Sequence, residues 1–259
     1  MRRLKRVEHP ESLSDTIAAA LGVLARPREL LATLRDYVGV GRRRRAEPVV
    51  DIASLQRFLD TRASFVAQTS LYGYVRTRSG MRYPELFDND GFVASMNIAK
   101  WQVWLACLSD LSVYAGGLMA GAQPDAASEV GRIVRTAVSQ ILAVTGTPTD
   151  AGPAFASSAE AVLERLASCD WHAVTDDAAA FTESPPALVR WAPIVDEMKA
   201  LDEPIVLNSV RFRWQEVRRE LRRSLDARAL LADEAKPSDG SAFAPSPVAI
   251  RSVPEQAGE

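Results

Sequence analysis

Histidine and cysteine are nearly missing from this 259-residue sequence, with two of each. His9 and His172 stand far apart, and neither has a CxxC pair or a second histidine beside it, so no metal-ligand spacing is present. Cys107 and Cys169 sit in stretches that read as helical and are expected as buried free thiols. GxSxG and SxxK are both absent, which leaves acyl transfer without a recognisable nucleophile. No glycine-rich dinucleotide fingerprint, phosphate-binding loop or repeat of fixed period occurs. No segment sustains alternation of apolar and polar residues with β-branched enrichment, which argues against an α/β fold. No cofactor and no metal are therefore expected.

Lysine is also scarce, at four residues against 27 arginines, a bias that genome composition explains more simply than phosphate recognition does. One apparent metal motif fails on inspection. Asp88-Asn89-Asp90-Gly91 resembles the start of a calcium loop, but such a loop needs a bidentate glutamate at its twelfth position, where Ala99 stands. Asp90 is expected instead as the N-cap of the helix that follows.

Charge is distributed unevenly. Residues 1–46 stand near +6, residues 47–232 near −5 and residues 233–259 near −3. The expected organisation is a basic N-terminal arm (1–46), a helical main domain (47–232) and a disordered acidic tail (233–259) rich in Pro, Ser and Gly. The start of the chain has basic residues but no uninterrupted apolar stretch or small-residue cleavage pattern, which points to the cytoplasm.

Within the arm, Leu13 to Val38 carries apolar residues at threes and fours apart from one seven-residue step between Leu24 and Leu31, and the unbroken basic run Arg42, Arg43, Arg44 and Arg45 follows. An amphipathic helix with that flank can lie on an anionic membrane surface or on an acidic partner, and these four arginines are the expected contacts to the anionic surface. A helix from Asp51 fades near Val66. The segment from Tyr72 to Phe87, with two glycines and Pro84, is expected as a loop or short strand pair. Phe92 to Ala120 is the most apolar stretch. Gln102, Ser109, Asp110 and Ser112 near its middle favour a buried central helix over a membrane span. Further helices are expected from Pro124 to Val144, Ser158 to Ala167, Ala187 to Leu201, and Pro204 to about Asp233. In the last, Leu207, Val210, Trp214, Val217 and Leu221 form one stripe. The fold class is all-α: an irregular multi-helix bundle around a central apolar helix.

Three groups of residues carry chemistry. Tyr72, Tyr74, Arg76, Arg78 and Arg82 mix aromatic rings with guanidinium groups, as base-stacking and phosphate-gripping segments do, or form a loop folded on its own body. Lys100 and Asp110 stand about three turns apart on the central helix, too far to pair with each other, and so need partners from other helices or a polar pocket. His172 could pair with Asp170, Asp176 or Asp177, and Cys169 would share its helical face. The arginine-rich face of the last helix reads as a solvated, salt-bridged surface.

These features favour a non-enzymatic helical interaction or scaffold protein, recruited by its arm to another protein or an anionic membrane surface. A hydrolase-type enzyme with a site assembled from scattered residues is one alternative. A nucleic-acid-associated regulator is the other, disfavoured by the acidic main body.

Overall fold

Seven α-helices and no β-strand occur among the described residues, 47–234, of the computed structural model. The amphipathic stretch from Leu13 to Val38, the surface contacts expected of Arg42, Arg43, Arg44 and Arg45, and the tail after residue 234 all lie outside the described residues.

The helix boundaries follow from local chemistry. Asp51 opens α1 (Ile52–Ser79) through a capping box: the Ser54 amide donates to its carboxylate at 2.7 Å, and the Asp51 amide donates to the Ser54 hydroxyl at 3.1 Å. Gly80 ends it with φ +55°, a conformation that costs glycine little. Helix α2 (Asp90–Ala122) is capped by Asn89, whose side chain accepts from the Phe92 amide at 2.9 Å. Asn89 therefore takes the capping role expected of Asp90, which is the first helical residue and sets its carboxylate in the positive first turn. Helix α3 (Ala127–Thr145) follows a short 3₁₀ turn at Pro124–Ala126 and stops at Gly146, again with positive φ. The stretch TGTPTDAGP breaks the chain as expected before α4 (Phe155–Ala167).

Three expectations need correction. The segment from Tyr72 to Phe87 is neither a loop nor a strand pair: α1 runs through Ser79, and two 3₁₀ turns, Gly80–Arg82 and Pro84–Asp88, complete it. Ala187 to Leu201 is not one helix. Helix α5 (Ser184–Trp191) ends before Pro193, and α6 (Asp196–Ser224) begins after it. Pro204 lies inside α6 rather than at its start. The Ala200 carbonyl that Pro204 cannot engage belongs to an exposed turn, open to solvent. A short α7 (Ala227–Glu234) follows.

The core is built around α2, which packs against α1, α3, α4 and α5. Twenty of its 33 residues are buried, including Trp104, Leu108, Leu111 and Tyr114. By length and composition this helix could cross a membrane, but 89% of its apolar window is buried inside the protein. It is the central apolar helix of the bundle.

Two small residues fix its far end. A Cβ on Gly116 would lie 2.1 Å from the Trp171 ring, and one on Gly131 of α3 would lie 2.7 Å from the Trp171 Nε1. The indole thus keys the loop after α4 into a slot between α2 and α3 that only glycines leave open. At the opposite end of the chain path, the Val49 amide donates to the Ser224 carbonyl at 2.8 Å, and the Asp226 amide donates to the Val49 carbonyl at 2.9 Å. That bridge ties the segment before α1 to the junction of α6 and α7.

Candidate functional site

Asp110 is completely buried, and its carboxylate is met from three sides. Arg165 Nη1 of α4 donates at 2.8 Å, the Glu183 amide at 3.1 Å and the Ser184 amide at 2.7 Å. A side chain of α2 thereby caps the N-terminus of α5, where the helix dipole favours a negative charge. Arg165 continues to the Ala180 carbonyl and the Thr182 hydroxyl, both at 3.0 Å, and the Trp214 indole of α6 donates to the Ser184 hydroxyl at 2.9 Å. Burial pushes the Asp110 carboxyl up, opposed by hydrogen bonds from Ser184 and the charge of Arg165. Cys107 lies beside this group, and burial, then the Asp110 charge, push its thiol well up. A nucleophile, a hydroxyl and a carboxylate thus stand together, but Cys107, Asp110 and Ser184 are all sealed from solvent. The cluster joins four helices and offers a substrate no way in.

Lys100 also finds its partner on another element. Its Nζ donates to Asp150 Oδ2 at 2.9 Å and lies 4.8 Å from the centre of the Trp101 ring, while the Trp101 indole donates to Asp150 Oδ1 at 2.7 Å. Burial alone would raise the Asp150 carboxyl, but the hydrogen bonds from Lys100 and Trp101 hold it below its ordinary value. Both central-helix charges are paired across the bundle, as desolvation demands.

The aromatic and arginine residues from Tyr72 to Arg82 are not gathered into one site. Tyr74 donates its hydroxyl to Asp202 of α6 at 3.0 Å, and the Arg78 guanidinium grips both oxygens of the same carboxylate. Arg82 pairs with Glu85 at 3.1 Å in solvent, Arg76 is exposed in the last turn of α1, and Tyr72 is half-buried against the core. His172 is exposed in a loop, where its own amide donates to the Asp170 carboxylate at 3.1 Å. That loop is not helical, so Cys169 and His172 share no helical face. Asp176, a partner considered for His172, instead accepts from the Tyr114 hydroxyl at 2.5 Å and from Arg222 at 2.9 Å. Burial alone would raise the Asp176 carboxyl, but the hydrogen bonds from Tyr114 and Arg222 hold it below its ordinary value.

Several large apolar side chains of α6 remain exposed. One face of α6 carries Val206, Val210, Trp214, Val217 and Leu221, all buried. A second face carries Met198, Leu201, Ile205 and Phe212, and the last three are 77%, 72% and 70% exposed. Phe65 of α1, half exposed, stands beside Phe212 across an open groove of about 520 Å³ whose other walls include Ser209, Arg213, Glu216 and Arg219. The spacing of three, four and seven from Met198 to Phe212 is that of a helix-pairing seam. This spacing was present in the sequence beside the buried stripe, but the expected helix start at Pro204 cut it in half.

No group of three or more histidine, cysteine or carboxylate side chains able to hold a metal ion occurs among the described residues. No protein-family model, curated protein or solved structure matches this chain. The reading of function therefore rests on the geometry alone.

Proposed function

We propose that this chain is a non-enzymatic helical interaction protein whose contact face is the exposed stripe of α6 with Phe65 of α1. The observation that carries the reading is the row of large apolar side chains, Met198, Leu201, Ile205 and Phe212, left uncovered on a helix whose opposite side is packed into the core. Contiguous exposed apolar surface rimmed by charge marks contact sites in folded proteins. The charged groups inside the bundle support the same reading, because Asp110, Lys100 and Asp202 are each consumed by structural pairs. Both cysteines are free, which fits a reducing, cytoplasmic setting. The acidic main domain disfavours nucleic acid as the partner.

A photoreactive amino acid placed at Ile205 in living cells tests the reading, with the exposed position Glu160 on α4 as control. Protein adducts from position 205 that are absent from position 160 are expected. Equal labelling at the two positions would sink it.

A further inference from the structure

We infer that the α6 stripe is occupied by a second copy of this chain, with the two α6 helices running antiparallel about a two-fold axis near Ile205. The inference rests on the interaction reading above and names its partner.

The stripe is self-complementary in shape. Met198 and Phe212 stand equal distances along the helix on either side of Ile205. An antiparallel partner therefore sets its Met198 against Phe212, its Ile205 against Ile205 and its Leu201 near Asn208 and Ser209. The groove beside Phe212, open between α1 and α6, then receives the Met198 and Leu201 side chains of the second copy as knobs. A two-fold interface of this kind closes on itself and leaves no further copy to add.

Charge argues for the same arrangement. On and beside the exposed stripe, the first half of α6 (196–208) carries Glu197 and the second half (209–224) carries Arg211, Arg219 and Arg223 with Glu216. Asp202 is committed to Arg78 and Tyr74, Glu220 to Arg62, and Arg218 and Arg222 to Asp176 within the chain. Carboxylates in a first turn and arginines in a last turn also complement the helix's own dipole, which accounts for Asp196, Glu197, Arg222 and Arg223. It does not account for Arg211, which lies away from both ends. Antiparallel pairing sets Glu197 of each copy beside Arg211 of the other along the edge of the seam. Parallel pairing would juxtapose like charges. An anionic lipid surface would meet the acidic half of α6, where Leu201 is the most exposed of the stripe's residues. A second copy supplies a cation to Glu197 and an anion to Arg211, whereas a partner of single sign would serve only one of the two.

The experiment uses the full chain. Sedimentation or light scattering should report a dimer that weakens with added salt. The double variant Ile205→Glu/Phe212→Glu should be monomeric with unchanged helical circular dichroism, and should melt as wild type does at concentrations where wild-type chains are separate. Glu197→Arg should weaken the dimer, and adding Arg211→Glu to it should restore the association. In a Cys169→Ser background, chains carrying Met198→Cys mixed with chains carrying Phe212→Cys should form a mixed disulfide, whereas Met198→Cys alone should not link to itself.

Four results would overturn the proposal: a wild-type chain that stays monomeric at all concentrations, a dimer that survives the double glutamate variant, a Met198→Cys self-link that reveals parallel pairing, or a chain that floats with anionic vesicles as a monomer. A monomeric chain that still gives stripe-specific adducts at position 205 with a different protein would remove the second copy and leave the interaction reading standing.

Discussion

The two longest helices that carry charge into or along the bundle, α2 and α6, solve the same problem in opposite ways. Helix α2 is apolar on every side and is walled in by four other helices, so each charge along its buried length must be neutralised from across the bundle. Arg165 does this for Asp110, and Asp150 does it for Lys100. Helix α6 is strongly charged, yet it carries two separate apolar stripes, and the fold covers only one of them. Total hydropathy thus reports how much of a helix is buried, while residue spacing reports how many of its faces seek a partner. Substitutions in α2 and in the inner face of α6 should therefore register as lost stability, and those on the outer face as lost association.

The largest effect is expected at Asp110. Replacing it by Ala strands the Arg165 charge and uncaps α5, and removing one member of a buried ion pair costs about 3–5 kcal/mol. Urea denaturation measures it, and a cost below about 1 kcal/mol, the surface-pair range, would show that the cluster does not hold the helices together. Next comes Leu221, fully buried on the inner stripe of α6. Leu221→Ala should cost about 2–5 kcal/mol, and an unchanged midpoint would place α6 outside the cooperative unit.

The contrast also explains what the sequence made readable. The apolar run of α2 and the inner stripe from Val210 to Leu221 carry periodic signals, and both lie where those signals place them. The segment from Tyr72 to Arg82 misled because Gly73 and Gly80 look alike on the page. Gly80 is a true helix stop with positive φ, whereas Gly73 sits within α1. The partner that commits Tyr74 and Arg78 is Asp202, on a helix remote in sequence, and local pattern carries no trace of it. The need of Lys100 and Asp110 for partners was legible from desolvation cost alone, but the identities Asp150 and Arg165 were not. The outer stripe of α6 was hidden by Pro204, which usually marks a helix start and here lies inside one.

Gly116 gives an intermediate test. Gly116→Ala places a methyl group inside the Trp171 ring, so the loop must shift, at a cost of about 1–3 kcal/mol. Trp171 fluorescence should change with it, and an unaltered spectrum with full stability would show that the slot is loose.

The pH dependence separates buried from peripheral carboxylates. Asp110 is raised by burial, so its contribution is full below the unfolded carboxyl value, about 3.9, and is lost as pH rises through the raised value. For Asp176 the signs reverse: its contribution is present above the unfolded value and is lost as pH falls through the lowered one. The stability deficit of Asp110→Asn should therefore shrink as pH rises, and that of Asp176→Asn should shrink as pH falls. Parallel profiles for the two variants would contradict the assignment of burial to one and hydrogen bonding to the other.

The smallest expected stability change is on the outer face of α6, and it sharpens the comparison most. Ile205 is 72% exposed, so Ile205→Ser removes little buried area within one chain, and exposed substitutions away from caps and pairs stay within about 0.5 kcal/mol. The same change deletes the residue placed at the centre of the seam, where a truncation costs an interface most. Unfolding measured at low protein concentration, where chains are separate, should match wild type, while dimer dissociation should shift to higher concentration. Loss of stability at low concentration would mean that Ile205 is packed against its own chain, and the division of α6 into a covered and an uncovered face would fall.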